Sequence, residues 1–526
     1  MSLENERVSH AASTVGIYTL LSRILGLVRD VVVAWAFGAG MTADAFFVAF
    51  RIPNLLRRLF AEGSLTIAFI PVFTEYLHRV SREDAMHLAR GVLTILALLL
   101  VIVTLLGVLF APWIVRIQAF GFGDAGMKYE LTVLLTRITF PYILLISLVA
   151  LFMGILNSLR HFAAPAAAPI FLNVGIIVSA LLISPHLSQP VIGLALGVLL
   201  GGLLQLGLQI PWLLKKGVSL APLWIPRHPA IRQIGHLMVP AIFGSAVYQI
   251  NGFIQTLLAS FLDEGSVSWL YYADRIVQFP LGVFAIALST AALPSLSKQA
   301  AQRDMEDFTG TLDYALRLVF FISIPSSVGL LLLGGPLVKI IFERGAFDPM
   351  ATAMTAKALF YYTLGLWAFS GTRILVSAFY ALQDTKTPVK VAIVVLIVNL
   401  ALSLALMGPL RHGGLAFALS LASTLQFTLL FFLIRRRLSI FTTRPLLMKI
   451  GRYLCASAVM AGVIYVLMLV GSSFQLIQGG GLMALQMVFL VIIGAVVYFI
   501  VARLVGCEEA GTVLRVLSPL SKKGEK

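Results

Sequence analysis

The sequence predicts an all-α polytopic membrane protein of about fourteen transmembrane helices: two parallel six-helix halves around a central cavity, plus two C-terminal helices. Three observations carry this. Of 526 residues 59% are hydrophobic and 12% charged, against about 25% charged in soluble domains. Apolar runs of about 20 residues, enough to cross ~30 Å of hydrocarbon, recur along the chain. A weak internal repeat relates the two halves at an offset of about 224 residues.

In order, the runs fall near 12–37, 43–77, 91–115, 129–157, 163–184, 190–213, 234–262, 267–297, 309–334, 352–382, 387–408, 413–434, 447–471 and 482–505. Pro53 and Gly63 are expected to bend the long second run. Met1 to His10 is polar and shows no cleavable leader pattern, so insertion is expected to begin with the first span. The net charge of +16 does not point to nucleic acid, because no long polar stretch exists to form a basic soluble patch. Loop asymmetry explains it better. With a cytoplasmic N-terminus, twenty-three Lys and Arg fall in inner connections, five in outer ones and eleven of the 39 within spans. Both termini are then expected in the cytoplasm. Cys455 and Cys507 lie far apart and offer neither a disulfide framework nor a CxxC site.

In the repeat, AFFVAFRIP around Arg51 aligns with WLYYADRIVQFP around Arg275, TIAFIP ending at Pro71 with STAALP ending at Pro294, and LNSLRHFAAP ending at Pro165 with LQDTKTP ending at Pro388. An even number of spans per copy makes the copies parallel, a transporter plan with the substrate site between them. The expected organisation is 1–232 and 233–440 for the halves and 441–526 for the two additional helices and tail.

Ser22 to Gly63 carries the chemistry. It has the apolar content of two membrane helices, yet includes Arg23, Arg29, Asp30, Asp44, Arg51, Arg57, Arg58 and Glu62. A cation at the centre of a membrane helix costs roughly 3 kcal/mol even on insertion scales, so such residues usually face a bundle interior or wet cavity. Arg29, Arg51 and Arg275 each lie about 8 residues, roughly 12 Å, below the outer ends of their spans. Arg23 and Arg57 lie deeper. At 100° per residue, Arg23 shares a face with Asp30 and Arg51 with Arg58, while Arg29 and Arg57 point elsewhere. On the eighth span Ser268, Tyr271, Arg275 and Gln278 form one polar stripe.

Neighbouring acids can neutralise individual arginines and leave them only structural. Asp30, Asp44, Glu62 and Asp274 cannot neutralise all six, counting Arg275. The surplus suits an anion, and a planar guanidinium fork suits phosphate oxygens. Weaker signals are set aside. Gly121, Gly123 and Gly126 match GxGxxG with no strand before them, and the eight histidines form no metal-ligand cluster. Asp384 and Asn399 read as a helix-end cap and a packed amide before a cation site. No cofactor and no metal are expected.

SRILGLVRD, GAGMTADAFFVAFRIPNLLRRLFAEGS, FPYILLISL and GSVSWLYYADRIVQFPLGVF together resemble the MurJ (MviN) lipid II flippases of the multidrug/oligosaccharidyl-lipid/polysaccharide exporter superfamily. The resemblance runs through essentially the whole chain. It implies a transporter, not an enzyme, in the bacterial cytoplasmic (inner) membrane. By alternating access it would move lipid II, undecaprenyl-pyrophosphate-linked MurNAc-pentapeptide-GlcNAc, from the inner to the outer leaflet. It places the family's cavity arginines on Arg23, Arg29, Arg57 and Arg275, its acid on Asp44 and its cavity serine on Ser268. Gln278 stands where the family often has an acid. The last two spans would form a groove for the lipid tail. Expected partners are lipid II, membrane lipids and the peptidoglycan synthesis or division machinery. The rival readings are an exporter of another lipid-linked glycan or a drug, and a non-transporting division scaffold. A drug exporter should favour cavity carboxylates where this chain has arginines.

Overall fold

A computed structural model describes residues 3–57, 65–438, 443–473 and 480–517, and among these every element is helical. The chain divides into two compact units: Met1–Ser268 with Arg344–Phe347, and Trp269–Glu343 with Asp348–Lys526.

The first unit holds α1 (Leu3–Phe37), α2 (Met41–Leu56), α3 (Thr66–Glu75), α4 (Arg82–Leu109), α5 (Ala111–Gln118), α6 (Met127–Thr139), α7 (Tyr142–Ser158), α8 (Ala163–Val178), α9 (Ile192–Lys215) and α10 (Pro229–Ser260). α11 (Ser266–Pro280) begins in it and continues into the second unit. There follow α12 (Ile286–Ala301), α13 (Met305–Phe342), α14 (Pro349–Thr363), α15 (Leu366–Ala381), α16 (Lys386–Leu410), α17 (His412–Arg437), α18 (Thr443–Ser473), α19 (Gly480–Leu504) and α20 (Glu508–Leu517).

Each predicted apolar run falls on one helix or on two in succession. Nine segments among the described residues are long and apolar enough to cross a membrane. Of the five other runs, two lie on α1 and α10, and three are shared by two helices each: α2 with α3, α11 with α12 through the π-helical turn Leu281–Ala285, and α14 with α15. Pro53 sits buried inside α2, whereas Gly63 lies outside the described residues.

In the first unit Phe69, Phe73, Leu88, Leu151 and Leu156 pack α3, α4 and α7 together. α8 and α9 approach backbone to backbone. A Cβ on Gly175 would fall 2.5 Å from the Cα of Gly201, and one on Gly197 would fall 2.8 Å from the Cβ of Ser179. Small residues of this kind allow the close packing that drives helix association where no water is displaced.

In the second unit the C-terminal hairpin docks at a proline break. Pro325 has no N–H, so the carbonyl of Phe321, four residues earlier, loses its helical donor. The buried Tyr498 hydroxyl on α19 donates to it at 2.7 Å. The Phe321 ring lies between Tyr453, at 5.5 Å, and Tyr498, at 5.1 Å. Glu509 of α20, buried, completes the attachment with Arg317 at 3.3 Å and Lys449 at 3.4 Å. On the opposite face of α19, Leu485, Phe489, Ile492, Val496 and Ile500 are all more than half exposed. An apolar stripe of that length belongs against lipid.

Tyr498→Phe should leave the Phe321 carbonyl unpaired and cost roughly 1–3 kcal/mol, read as a lowered melting temperature of the detergent-purified protein. An unchanged melting point would remove the hydroxyl from this role.

Candidate functional site

The buried carboxylate of Asp44 organises the start of two helices. α2 and α11 are the repeat-related elements of the sequence, and their first N–H groups have no helical acceptors. Carboxylates of the protein supply them here. Asp44 Oδ2 accepts from the backbone N–H of Gly265 at 2.8 Å, and Oδ1 accepts from the N–H of Ser268 at 2.9 Å and its hydroxyl at 2.7 Å. In return Glu264 Oε1 accepts from the N–H of Met41, the first residue of α2, at 2.8 Å. The acid of each segment thus caps the helix of the other, and Asp44 and Ser268 stand 224 residues apart, the repeat offset itself. Lys128 Nζ, 2.8 Å from Asp44 Oδ2, balances the charge. Lys128 is one of the five cations that the sequence assigns to outer connections, where no partner is foreseen for it.

On α1, Arg29 binds its neighbour. Its Nε and Nη2 donate to Asp30 Oδ1 at 3.0 and 2.6 Å, and its Nη1 donates to Asn173 Oδ1 of α8 at 3.1 Å. Asp30 is buried and Arg29 nearly so. The face count put Asp30 with Arg23. The structure puts it with Arg29, because the long, flexible arginine stem spans the 100° between adjacent side chains. Arg23 itself is exposed. Asn173 was not singled out in the sequence, since an amide in an apolar helix carries no motif.

Arg51 is half-buried and lies against the bare backbone of α10: a Cβ on Gly252 would come 2.6 Å from Arg51 Nη2. Arg57, also half-buried, donates from Nε to Asn54 Oδ1 at 3.1 Å on its own helix. Arg58 and Glu62 lie outside the described residues. In the second unit, the Arg275 guanidinium carbon stands 4.7 Å from the Tyr271 ring centroid and its Nη2 donates to the Tyr271 hydroxyl at 2.9 Å. Gln278 Nε2 donates to Asp274 Oδ2. The polar stripe is thereby locked in i,i+4 pairs.

The alternative sites resolve locally. Asp384 accepts from the Thr387 N–H and hydroxyl at 3.0 and 2.8 Å and pairs with Arg437 at 2.8 Å. The Thr387 bonds, then Arg437, hold its carboxyl below the usual range. Asn399 is buried in α16. Among the described residues no group of three His, Cys, Asp or Glu could hold a metal ion.

Arginines held by amides, acids and aromatic rings within long apolar helices define a polytopic membrane protein. A family model described as "Lipid II flippase MurJ" matches residues 33–478. The chain belongs to the MurJ family. It is 42% identical over 465 residues to a probable lipid II flippase MurJ of Vibrio cholerae serotype O1, covering 87% of this chain and 89% of that one. It is 41% identical over 431 residues to the lipid II flippase MurJ of Burkholderia cenocepacia, covering 81% and 84%. Among solved structures, an inward-closed lipid II flippase MurJ superposes with a TM-score of 0.78 at 29% identity, over 96% of this chain and 99% of that one. An inward-facing multidrug resistance MATE transporter of the MOP superfamily shares the fold, with a TM-score of 0.70 at 16% identity over 80% of this chain and 95% of that one.

Asp44→Ala should strand Lys128 and the N-terminal N–H groups of α11, destabilising the protein by roughly 3–5 kcal/mol. Arg116→Ala, which breaks the exposed pair with Asp124, should cost about 0–1 kcal/mol. Thermal unfolding in detergent compares the two, and equal effects would mean that Asp44 is not a buried anchor.

Proposed function

We propose that the chain moves lipid II from the inner to the outer leaflet of the bacterial cytoplasmic membrane by alternating access, with Arg29, Arg57 and Arg275 as the groups that bind the pyrophosphate. The match to the MurJ family across residues 33–478 carries the transport assignment. The site assignment is supported by Arg29, whose guanidinium is held by a neutral amide as well as by a carboxylate. Arg23, Arg51, Arg58 and Gln278 belong to the proposed substrate path, while Asp30, Asp44 and Ser268 orient it. The activity is transport, with no bond made or broken. Moving one charge through 100 mV is worth about 2.3 kcal/mol, so a membrane potential is one available drive for an anionic head group.

In this reading residues 1–232 and 233–440 are the two rocking halves, and 441–526 contribute a surface for the polyprenyl tail. Both termini are cytoplasmic, and the product passes to the peptidoglycan synthesis or division machinery. The excess of Lys and Arg in one set of connections supports the orientation. A tag placed after Lys526 should therefore be cleaved by protease in inverted vesicles and protected in intact spheroplasts. Cleavage in spheroplasts would reverse the topology.

Purified protein in vesicles containing labelled lipid II, with a potential imposed, tests the function. Wild type should expose the label at the opposite leaflet, and Arg29→Ala should lose at least about tenfold in transport, the effect of removing ~1.4 kcal/mol of charge-assisted binding. Folded wild type that moves no lipid II under potential or ion gradients would point to another lipid-linked cargo or a scaffold.

A further inference from the structure

Ser22, Gly26 and Arg29 occupy positions i, i+4 and i+7 of α1 and so share one face. The carboxamide of Asn173 on α8 lies across that face. Its Nδ2 donates to the Ser22 carbonyl at 3.1 Å, and its Oδ1 accepts from Arg29 Nη1 at 3.1 Å. Gly26 leaves the space between: a Cβ there would stand 3.8 Å from Asn173 Nδ2 and 4.0 Å from Oδ1, in contact with the amide. Asn173 is only 6% exposed, so its two bonds form where an unpaired amide is costly.

We infer that Asn173 is the positioning residue for Arg29, a neutral acceptor that aims the guanidinium at an anionic head group without adding a second negative charge beside Asp30. This rests on the reading of Arg29 as a pyrophosphate ligand. Asp30 and Asn173 hold Arg29 in different ways. Asp30 bonds it through a carboxylate and offsets one unit of charge. Asn173 fixes another edge of the same plane with an uncharged oxygen and ties it, through Ser22, to the backbone of α1. A carboxylate at position 173 would keep the shape, lose the donor to Ser22 and set two negative groups on one cation. The cluster would then pass from balanced to net negative and repel a phosphate.

The test uses full-length protein in vesicles with labelled lipid II, reading the half-saturating concentration and the maximal rate separately, with thermal melting as a check on folding. Asn173→Asp should raise the half-saturating concentration by about tenfold or more, equivalent to ~1.4 kcal/mol of binding. Adding Asp30→Asn should restore most of that loss, although the bond to Ser22 is still absent. A purely structural amide predicts no such restoration. Asn173→Ala removes the acceptor without adding charge, and it should weaken affinity less, with a smaller relief from Asp30→Asn than Asn173→Asp shows. It also serves as the reading if Asn173→Asp folds poorly. Affinity within about twofold of wild type for either variant, below ~0.5 kcal/mol, overturns the assignment, as does an Asn173→Asp loss that Asp30→Asn leaves unrelieved. Wild-type transport by Arg29→Ala would instead overturn the anion-site reading, and this inference with it. An inactive Arg29→Ala beside unaffected Asn173 variants would overturn the inference alone.

Discussion

Inside a bilayer every polar backbone group and every charge must find its partner within the protein, and the described structure depends on that constraint. Asp44 is where it bears hardest. One carboxylate, 1% exposed, receives two backbone N–H groups, a hydroxyl and an ammonium. Glu264 performs the reciprocal task at the start of α2. Two helix N-termini that water would satisfy in a soluble protein are satisfied here by acids exchanged between repeat-related segments. A carboxylate in the first turn of a helix is thus both a membrane cost and the means of building the helix ends.

The same requirement separates the arginines. Arg57 leans on an amide of its own helix, Arg275 on the ring and hydroxyl of Tyr271, and Arg29 on an acid and an amide together. Neutral partners satisfy donors while preserving positive charge, and carboxylates satisfy donors while removing it. The balance between the two sets how strongly an arginine can call an anion into an apolar interior.

Proline breaks extend the principle to the scaffold. Pro325 frees a carbonyl in α13, and the hydroxyl of Tyr498 takes it up, so a defect in one helix becomes the attachment point of the C-terminal hairpin. Elsewhere one apolar run of the sequence is shared by two helices, as by α14 and α15, or by α11 and α12 through the π-helical turn Leu281–Ala285.

The sequence by itself determined the all-helical membrane architecture, the position of nearly every helix and the concentration of arginines in α1, α2 and α11. Apolar runs and misplaced charges are local properties of the chain, and their transfer costs are large enough to read without coordinates. The equivalence of Arg51 with Arg275 was also legible, as an offset. Partner choice was not. That Asp30 takes Arg29 rather than Arg23, that Lys128 closes on Asp44, that Glu264 caps α2 and that Asn173 bridges Ser22 and Arg29 were decided only by the tertiary structure. Each of these contacts joins long or rotatable side chains whose reach exceeds one helical face, mostly across segments distant in sequence. Periodicity gives the face from which a side chain departs, and packing alone settles where its polar end arrives.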